Sequence, residues 1–414
     1  MQGEPLRVSY RQVLRSRRFL LLWLGQLVSG FGDWLALFAL FSLVAFRFHG
    51  TPYQVAGIFL AFVVPWAFLG PLAGVFVDRW NLKRTMIASD LIRAVLAALL
   101  ALTPGLPVTY LLIFVLSLMS CFFVPAQNAA IPLLVQKEEL LVANALNAQA
   151  AQLNKILGPA AAGVLVAWAG EKVCFYLDSM TFLFSAGMLG LIALPGLRVS
   201  AAGGVQAICA QLAEGFRFLL RHRALLFVTL AIVAAMFAAG GIDALGAIYV
   251  RDILHSQPQV FGALVSLVGV GTILGALALG RFAQRQSKVY LVVVGILGLG
   301  VGVLAFASTS RAPVALAVGV WLGFAVSAVL IPAQTLVQQE TPHTMLGRVS
   351  STSSSLVTIS QLASVAIAGK LADWIGIRNL FYVVGLALSL VSLLGYVYAR
   401  VARVRESSPV GALT

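Results

Sequence analysis

Gly74-Val75-Phe76-Val77-Asp78-Arg79-Trp80-Asn81-Leu82-Lys83-Arg84 is a short polar stretch with apolar chain on both sides. The runs before it (54–77) and after it (86–103) are each long enough to cross a bilayer, at about 20 residues per span. An acid and three cations between two such runs read as a turn at a membrane surface. Gly74 permits a close backbone approach or a tight packing contact. Asp78 is costly at a membrane edge unless it is paired or sits at a helix N-terminus. Arg79, Lys83 and Arg84 face anionic headgroups.

The same alternation continues outward in both directions. Of 414 residues, 60% are hydrophobic and 10% charged, against roughly 25% charged in an average soluble domain. A soluble fold could not bury that apolar content and still cover its surface with charge. Apolar runs fall at roughly 19–46, 54–77, 86–103, 108–134, 143–169 and 173–194, then at 224–250, 259–280, 289–308, 313–337, 349–373 and 379–400. The expected fold is therefore all-α and integral to a membrane, with twelve transmembrane helices in two pseudo-symmetric six-helix halves. The first half takes 1–195 and the second 224–400. Residues 196–223 form a central cytoplasmic connection, helix-like over 205–220, and 401–414 a cytoplasmic tail.

The net charge of +14 would suggest nucleic acid in a soluble protein. Its placement points elsewhere. Twenty of the 28 cations fall in the N-terminal arm, the even-numbered loops and the tail, among them Arg79, Lys83, Arg84, Arg281, Arg285, Lys288 and Arg348. Five (Arg47, Lys172, Arg251, Arg311, Arg378) fall in the alternate loops, and three (Arg93, Lys155, Lys370) inside apolar runs. Cytoplasmic loops carry the excess of Lys and Arg, so both termini are expected in the cytoplasm and the number of spans even. The arm at 7–18 has no aromatic platform beside it, and no nucleic-acid partner is expected.

Other chemistries drop out. Cys121, Cys174 and Cys209 have no paired spacing, and His49, His222, His255 and His343 lie between apolar runs, so neither a disulfide framework nor a metal site is expected. No phosphate-loop motif is present, and Gly298, Gly300 and Gly302 sit inside an apolar run as helix-packing residues. No cofactor is implied. The first run, Phe19 to Phe46, is too long for a signal-peptide core and lacks a small-residue cleavage site, so it reads as a retained helix.

The two halves repeat. Gly163-x-Leu165-x-x-Trp168-x-Gly170 recurs as Gly369-x-Leu371-x-x-Trp374-x-Gly376, and Pro125-Ala126-Gln127 as Pro332-Ala333-Gln334. Asp33 in the first run has a counterpart, Asp243, in the seventh. Collinear matches of this kind indicate a duplicated six-helix unit, and transporters of that plan bind substrate near the bilayer midplane between the halves.

A few side chains break the apolar rule. Asp33 and Asp243 lie deep in their runs, where each charge costs roughly 2.5–3.5 kcal/mol by insertion scales, so each must be paired, protonated or functional. Asp90 and Arg93 are three apart and can pair along one helix face. Arg93 can alternatively hold Asp33 or an anionic substrate. Asp178 and Asp373 fall toward the outer ends of runs and read as solvated or capping. On the fifth run, Asn144, Asn147, Ala151, Asn154 and Gly158 share an arc of roughly 80°, with Gln152 and Lys155 beside it. Such a face meets either a cavity or other helices through hydrogen bonds. Gln127, Gln334, Gln361 and Trp34 are further candidates to line a cavity. Trp34 belongs to a stripe with Phe31, Phe38 and Phe41 that serves either packing or an aromatic substrate wall.

Taken with the duplication, the Gly74–Arg84 stretch resembles the signature loop of the major facilitator superfamily. In that family the resemblance implies a gate: the aspartate docks against the start of helix eleven in the outward-open state. The matching partner region here is Gly347-Arg348-Val349-Ser350. The second-half copy, Gly280-x-x-x-Gln284-Arg285-x-x-Lys288, carries an amide in place of the acid and is shorter, so a second gate would be weaker or built differently. Gly158-Pro159-x-x-x-Gly163 resembles the superfamily's antiporter signature, with Ala162 where a glycine is expected. It also reads as an ordinary packing kink, since a proline removes a helix hydrogen bond. The segment from Arg18 to Asp33, Val124-Pro125-Ala126-Gln127 with Ile131–Val135, and Gly347-Arg348-Val349 are similar to the macrolide-efflux and enterobactin-exporter branch.

The expectation is a secondary transporter, not an enzyme, exporting an amphiphilic small molecule of drug, macrolide or siderophore type. Proton antiport, a monomer in contact with membrane lipid, and the bacterial cytoplasmic membrane complete it. A lipid or lysolipid flippase on the same fold is the alternative. A polytopic enzyme using clustered aspartates for magnesium is disfavoured because the aspartates are scattered. The direction of transport stays open at this point.

Overall fold

The computed structural model describes residues 9–77, 79–103, 105–194, 205–282, 286–342 and 345–406. Asp78, Gln284 and Arg285 lie outside the described residues. The first unit begins with a short surface helix α1 (Tyr10–Arg15) and continues through α2 (Arg17–Ser42), α3 (Pro52–Phe68), α4 (Gly70–Val77), α5 (Leu82–Leu100), α6 (Leu106–Ala130), α7 (Leu140–Ala169) and α8 (Glu171–Gly190). After α9 (Val205–Arg221) come α10 (Arg223–Asp252), α11 (Pro258–Phe282), α12 (Lys288–Ser308), α13 (Ala312–Glu340), α14 (Leu346–Ile375) and α15 (Ile377–Glu406).

The chain is all-α and multi-spanning. Ten helices among the described residues are long and apolar enough to cross a membrane. The other two expected spans differ for physical reasons. The second is divided at Leu69 into α3 and α4, and α3 alone has only 17 residues. The third, α5, carries Asp90 and Arg93 in its middle, which lowers its mean hydropathy. Large apolar side chains such as Leu141, Leu277, Phe68 and Leu102 stand uncovered by protein. In water such a surface would be a liability; against lipid it is the expected one.

The chain divides into two compact units, Met1–His49 with Gly57–Gly204, and Gly50–Ala56 with Val205–Thr414. In the first unit α2 packs on α7 and α8, α5 on α6 and α8, and α4 on α6. In the second, α10 packs on α14 and α15, α12 on α13 and α15, and α11 on α13. The pairings correspond one for one, which carries the sequence repeat into three dimensions. The repeated tryptophan motif also has one structural meaning. Gly170 and Gly376 end α7 and α14 at φ values of 80° and 83°, in the region that favours glycine. Two residues before each, Trp168 and Trp374 are 86% and 87% exposed, as suits aromatic side chains at a membrane interface.

The turn between α4 and α5 is pinned from both sides. Val77 and Leu82 are buried in an apolar cluster with Phe19, Met86, Phe123, Ile131 and Leu189. Asn81 caps α5 by accepting a hydrogen bond from the Arg84 backbone N–H at 3.0 Å, which satisfies one of the orphan donors of the first turn.

Small residues set the closest crossings. A Cβ on Gly271 of α11 would fall 2.0 Å from the Val320 carbonyl oxygen of α13, and one on Gly323 would fall 1.9 Å from the Val268 oxygen. The obstruction in both cases is backbone, so the helices must part. Gly271→Leu and Gly323→Leu are each expected to cost about 1–3 kcal/mol or more and to lower the melting temperature of the purified protein. Gly187→Ala, with open space around its Cβ, should not lower it. Equal melting behaviour of all three variants would show that the α11–α13 crossing does not have this geometry.

Candidate functional site

The capped first turn of α5 sets the rotation of the whole helix. Two turns on, Asp90 and Arg93 both point into the first unit and are almost fully buried, at 0% and 4% exposure. Arg93 Nη2 pairs with Asp90 Oδ1. The Arg93 guanidinium lies 4.5 Å from the ring centre of Phe123 on α6 and 4.4 Å from that of Phe182 on α8. Two ring faces therefore supply cation–π attraction where no water does.

Two more carboxylates complete the group. Asp178 on α8 is fully buried, and Asp33 on α2 is half-buried. Asp33, Asp90, Asp178 and Arg93 all interact electrostatically. Gly32 makes this possible. A Cβ there would lie 2.2 Å from Thr181 Oγ1 and 2.6 Å from Asp178 Oδ1, so the missing side chain lets α2 settle against α8 and brings Asp33 beside Asp178. The Thr181 hydroxyl donates to the Asp178 carbonyl at 2.7 Å. Ser185 accepts from Gln26 Nε2 at 3.3 Å. Asp90 Oδ2, Asp178 Oδ2 and Arg93 Nε have no hydrogen-bond partner among the described residues.

The arrangement holds three carboxyl groups and one guanidinium in a space of low polarity. Of the four, Asp33 is the one least covered. Orphaned polar atoms in such a space are costly, and they give the group capacity to take up protons or exchange partners.

Of the two readings offered for Arg93, the pair with Asp90 along one helix face is formed, and Asp33, the alternative partner, interacts with it electrostatically. The reading of Asp178 does not agree with this geometry. It is neither solvated nor a cap, because it sits about two turns into α8 on the face that meets α2. Thr181, Phe182 and Ser185 follow it at spacings of three, four and seven, a helical face visible in the sequence but not singled out there. Asn154 is buried, and its Nδ2 donates to the Leu27 carbonyl at 3.1 Å, beside Gly30. It joins α7 to α2 by the interhelical hydrogen bond that the amide face offered as the alternative to a cavity. Gly158 continues that contact against Trp34, and Pro159 and Gly163 are buried within an α7 that runs unbroken over Leu140–Ala169.

The other candidates scatter. Gln127, Asn147, Trp34 and Gln361 are half-buried, and Gln152, Lys155, Asp243 and Gln334 are exposed. Asp243 is exposed, unlike Asp33, and α12, the counterpart of α5, carries no charged side chain after Lys288. In the signature loop Arg79 and Arg84 are exposed. Lys83 donates to the carbonyls of Gly190 and Ile192, each at 2.7 Å, so it closes the C-terminal end of α8 as a cation suits that end of a helix. Arg348 pairs with Glu214 of α9. No cluster of metal-ligating side chains occurs among the described residues.

Removing the single cation leaves three carboxyl groups facing one another. Arg93→Met is expected to cost about 3–5 kcal/mol, as for other broken buried pairs, and to lower the melting temperature sharply. Arg93→Lys, which keeps charge but loses the planar stack, should fall between. A melting temperature of Arg93→Met equal to the parent's would mean that Arg93 does not hold the cluster.

Comparison with known proteins places this geometry in a family. The family model for the Major Facilitator Superfamily matches residues 22–354 and 228–412. Macrolide efflux protein A of Streptococcus pyogenes is 24% identical, with 91% of this chain and 94% of that protein covered. The enterobactin exporter EntS of Shigella boydii is 28% identical over 74% of this chain and 72% of its own length. Among solved structures, a bacterial homologue of the human lysosomal transporter Spinster, inward-facing and unoccupied, superposes with a TM-score of 0.73 at 15% identity, covering 93% of this chain and 97% of that one. The relatives include both proteins of the branch that the sequence resembles, and the chain belongs to the major facilitator superfamily.

Proposed function

We propose that this protein exports an amphiphilic small molecule in exchange for protons, by alternating access of its two six-helix halves. The bacterial cytoplasmic membrane is its site, with both termini in the cytoplasm, and the monomer is the working unit. The observation that carries the coupling half of this reading is the buried group of Asp33, Asp90, Asp178 and Arg93. The direction and substrate class rest on likeness to relatives named for macrolide efflux and enterobactin export.

The physical logic is charge balance. With all four groups ionised the cluster carries two negative charges more than positive. A proton taken up at Asp33, the least covered member, removes one of them and loosens the hold of the carboxylates on Arg93. Arg93 keeps its pair with Asp90 on its own helix, and its electrostatic attraction to Asp33 on α2 weakens. A proton moving down a potential of 100 mV supplies about 2.3 kcal/mol, enough to shift a two-state equilibrium by roughly fiftyfold. Export follows when the amphiphile and the proton favour opposite states of the same helices.

Asp33→Asn mimics the neutral form and cannot exchange a proton. In proteoliposomes it is expected to lose proton-driven efflux by at least tenfold while still binding substrate. Asp178→Asn should also impair coupling. Proton-driven efflux undiminished in Asp33→Asn would remove Asp33 as the coupling acid. Transport of a fluorescent lipid without drug-stimulated proton flux would instead favour a flippase.

A further inference from the structure

The face of α5 opposite the charge cluster opens on a groove of about 780 Å³, within the range of about 300–1,000 Å³ usual for small-molecule sites. Arg79 and Arg84 stand at its rim, and Trp80, Ile92, Met119 and Phe122 form its apolar wall. Trp80 stacks on Phe122 with ring centres 5.6 Å apart and lies 5.8 Å from Phe76. Ser89 and Thr85 add hydroxyls between rim and wall. No carboxylate lines the groove among the described residues.

Position and chemistry select the occupant. The groove lies at the end of α5 that begins beside Trp80 and the Asn81 cap, where a tryptophan marks the headgroup level of a membrane. The two guanidinium groups and the N-terminal end of a helix favour an anion. The wall below them is apolar and runs along α5 and α6 toward the hydrocarbon. A free phosphate would satisfy the rim and leave the wall unused. A lipid without phosphate would cover the wall and leave the rim unused, and a zwitterionic phospholipid would bring its ammonium to a rim of two cations with no carboxylate among the described residues to receive it. We propose that this groove binds one anionic phospholipid of the cytoplasmic leaflet. Its phosphate bridges Arg79 and Arg84, and the upper part of one acyl chain lies against Ile92, Met119 and Phe122. The site is distinct from the charge cluster and holds whatever the transported molecule proves to be.

The test uses the full chain purified in an uncharged detergent. Phosphatidylglycerol, phosphatidylcholine and inorganic phosphate are titrated separately, and binding is read from the rise in melting temperature and from lipid retained in native mass spectrometry. Phosphatidylglycerol is expected to stabilise saturably, phosphatidylcholine far less and phosphate not at all. The double variant Arg79→Gln/Arg84→Gln should bind phosphatidylglycerol about thirtyfold more weakly. Ile92→Trp, which fills the groove and leaves both arginines in place, should weaken it as well. All three positions are exposed, so the lipid-free melting temperature should match that of the parent chain. Either variant responding to phosphatidylglycerol as the parent does overturns the proposal. Phosphate stabilising as well as the lipid overturns it too, by showing a simple anion site.

Discussion

A guanidinium placed among hydrocarbon side chains has no water to turn to, and the first unit is organised around that constraint. Arg93 receives a carboxylate from its own helix, two aromatic faces from α6 and α8, and the field of two further acids from α2 and α8. The partners come from α2, α5, α6 and α8, so satisfying one side chain orients four helices. Gly32 is part of the same requirement, because any side chain there would keep α2 away from Asp178. The Asn81 cap and the Lys83 contacts with the end of α8 set the axial position of α5 from its other end. Without that setting Arg93 would not lie level with Phe123 and Phe182.

Duplication explains the scaffold and not the cluster. Both units repeat the same helix pairings and the same glycine-ended helices α7 and α14. The helix corresponding to α5 is α12, which substitutes glycines and aliphatic side chains for the charges. Its neighbours pack by backbone approach instead: Gly300 meets Ser389 and Gly385 of α15 at distances that leave no room for a Cβ. One unit thus spends its third helix on charge and the other on close packing.

Much of this was legible in the residues. Apolar runs give spans because a membrane admits little else. Asp90 and Arg93 could be paired from their spacing alone, since i and i+3 share a helix face. Asp178 could not be placed, because depth along α8 and rotation toward α2 depend on how two helices cross. Asn154 was left between two readings for a related reason. An amide face on a helix states that the face meets something polar; whether that is water or the Leu27 carbonyl is settled by the distance between α7 and α2. That distance is set by Gly30 and Gly158, and the sequence shows these glycines without showing which helix each one faces.

The two faces of α5 belong to one rigid body. Ser89 and Ile92 line the groove beside Arg79 and Arg84, and Asp90 and Arg93, each the next residue in the chain, belong to the charge cluster. A helix cannot rotate one face without the other. Whatever fills the groove therefore resists the same rotation that a change of partner at Arg93 would require, and an empty groove leaves that rotation unopposed. The size of the effect follows from differential affinity: an occupant shifts the helix only as far as it binds one orientation better than the other. Arg84 lies on the first turn of α5 and its long side chain carries the charge far from the helix axis, so a rotation displaces the rim charge further than it displaces Ile92, and an anion held there is placed to discriminate orientations more strongly than a tail against Ile92 would. The first unit thereby joins a surface contact with the membrane to an interior charge balance through a single helix, with no chain of intermediates between them.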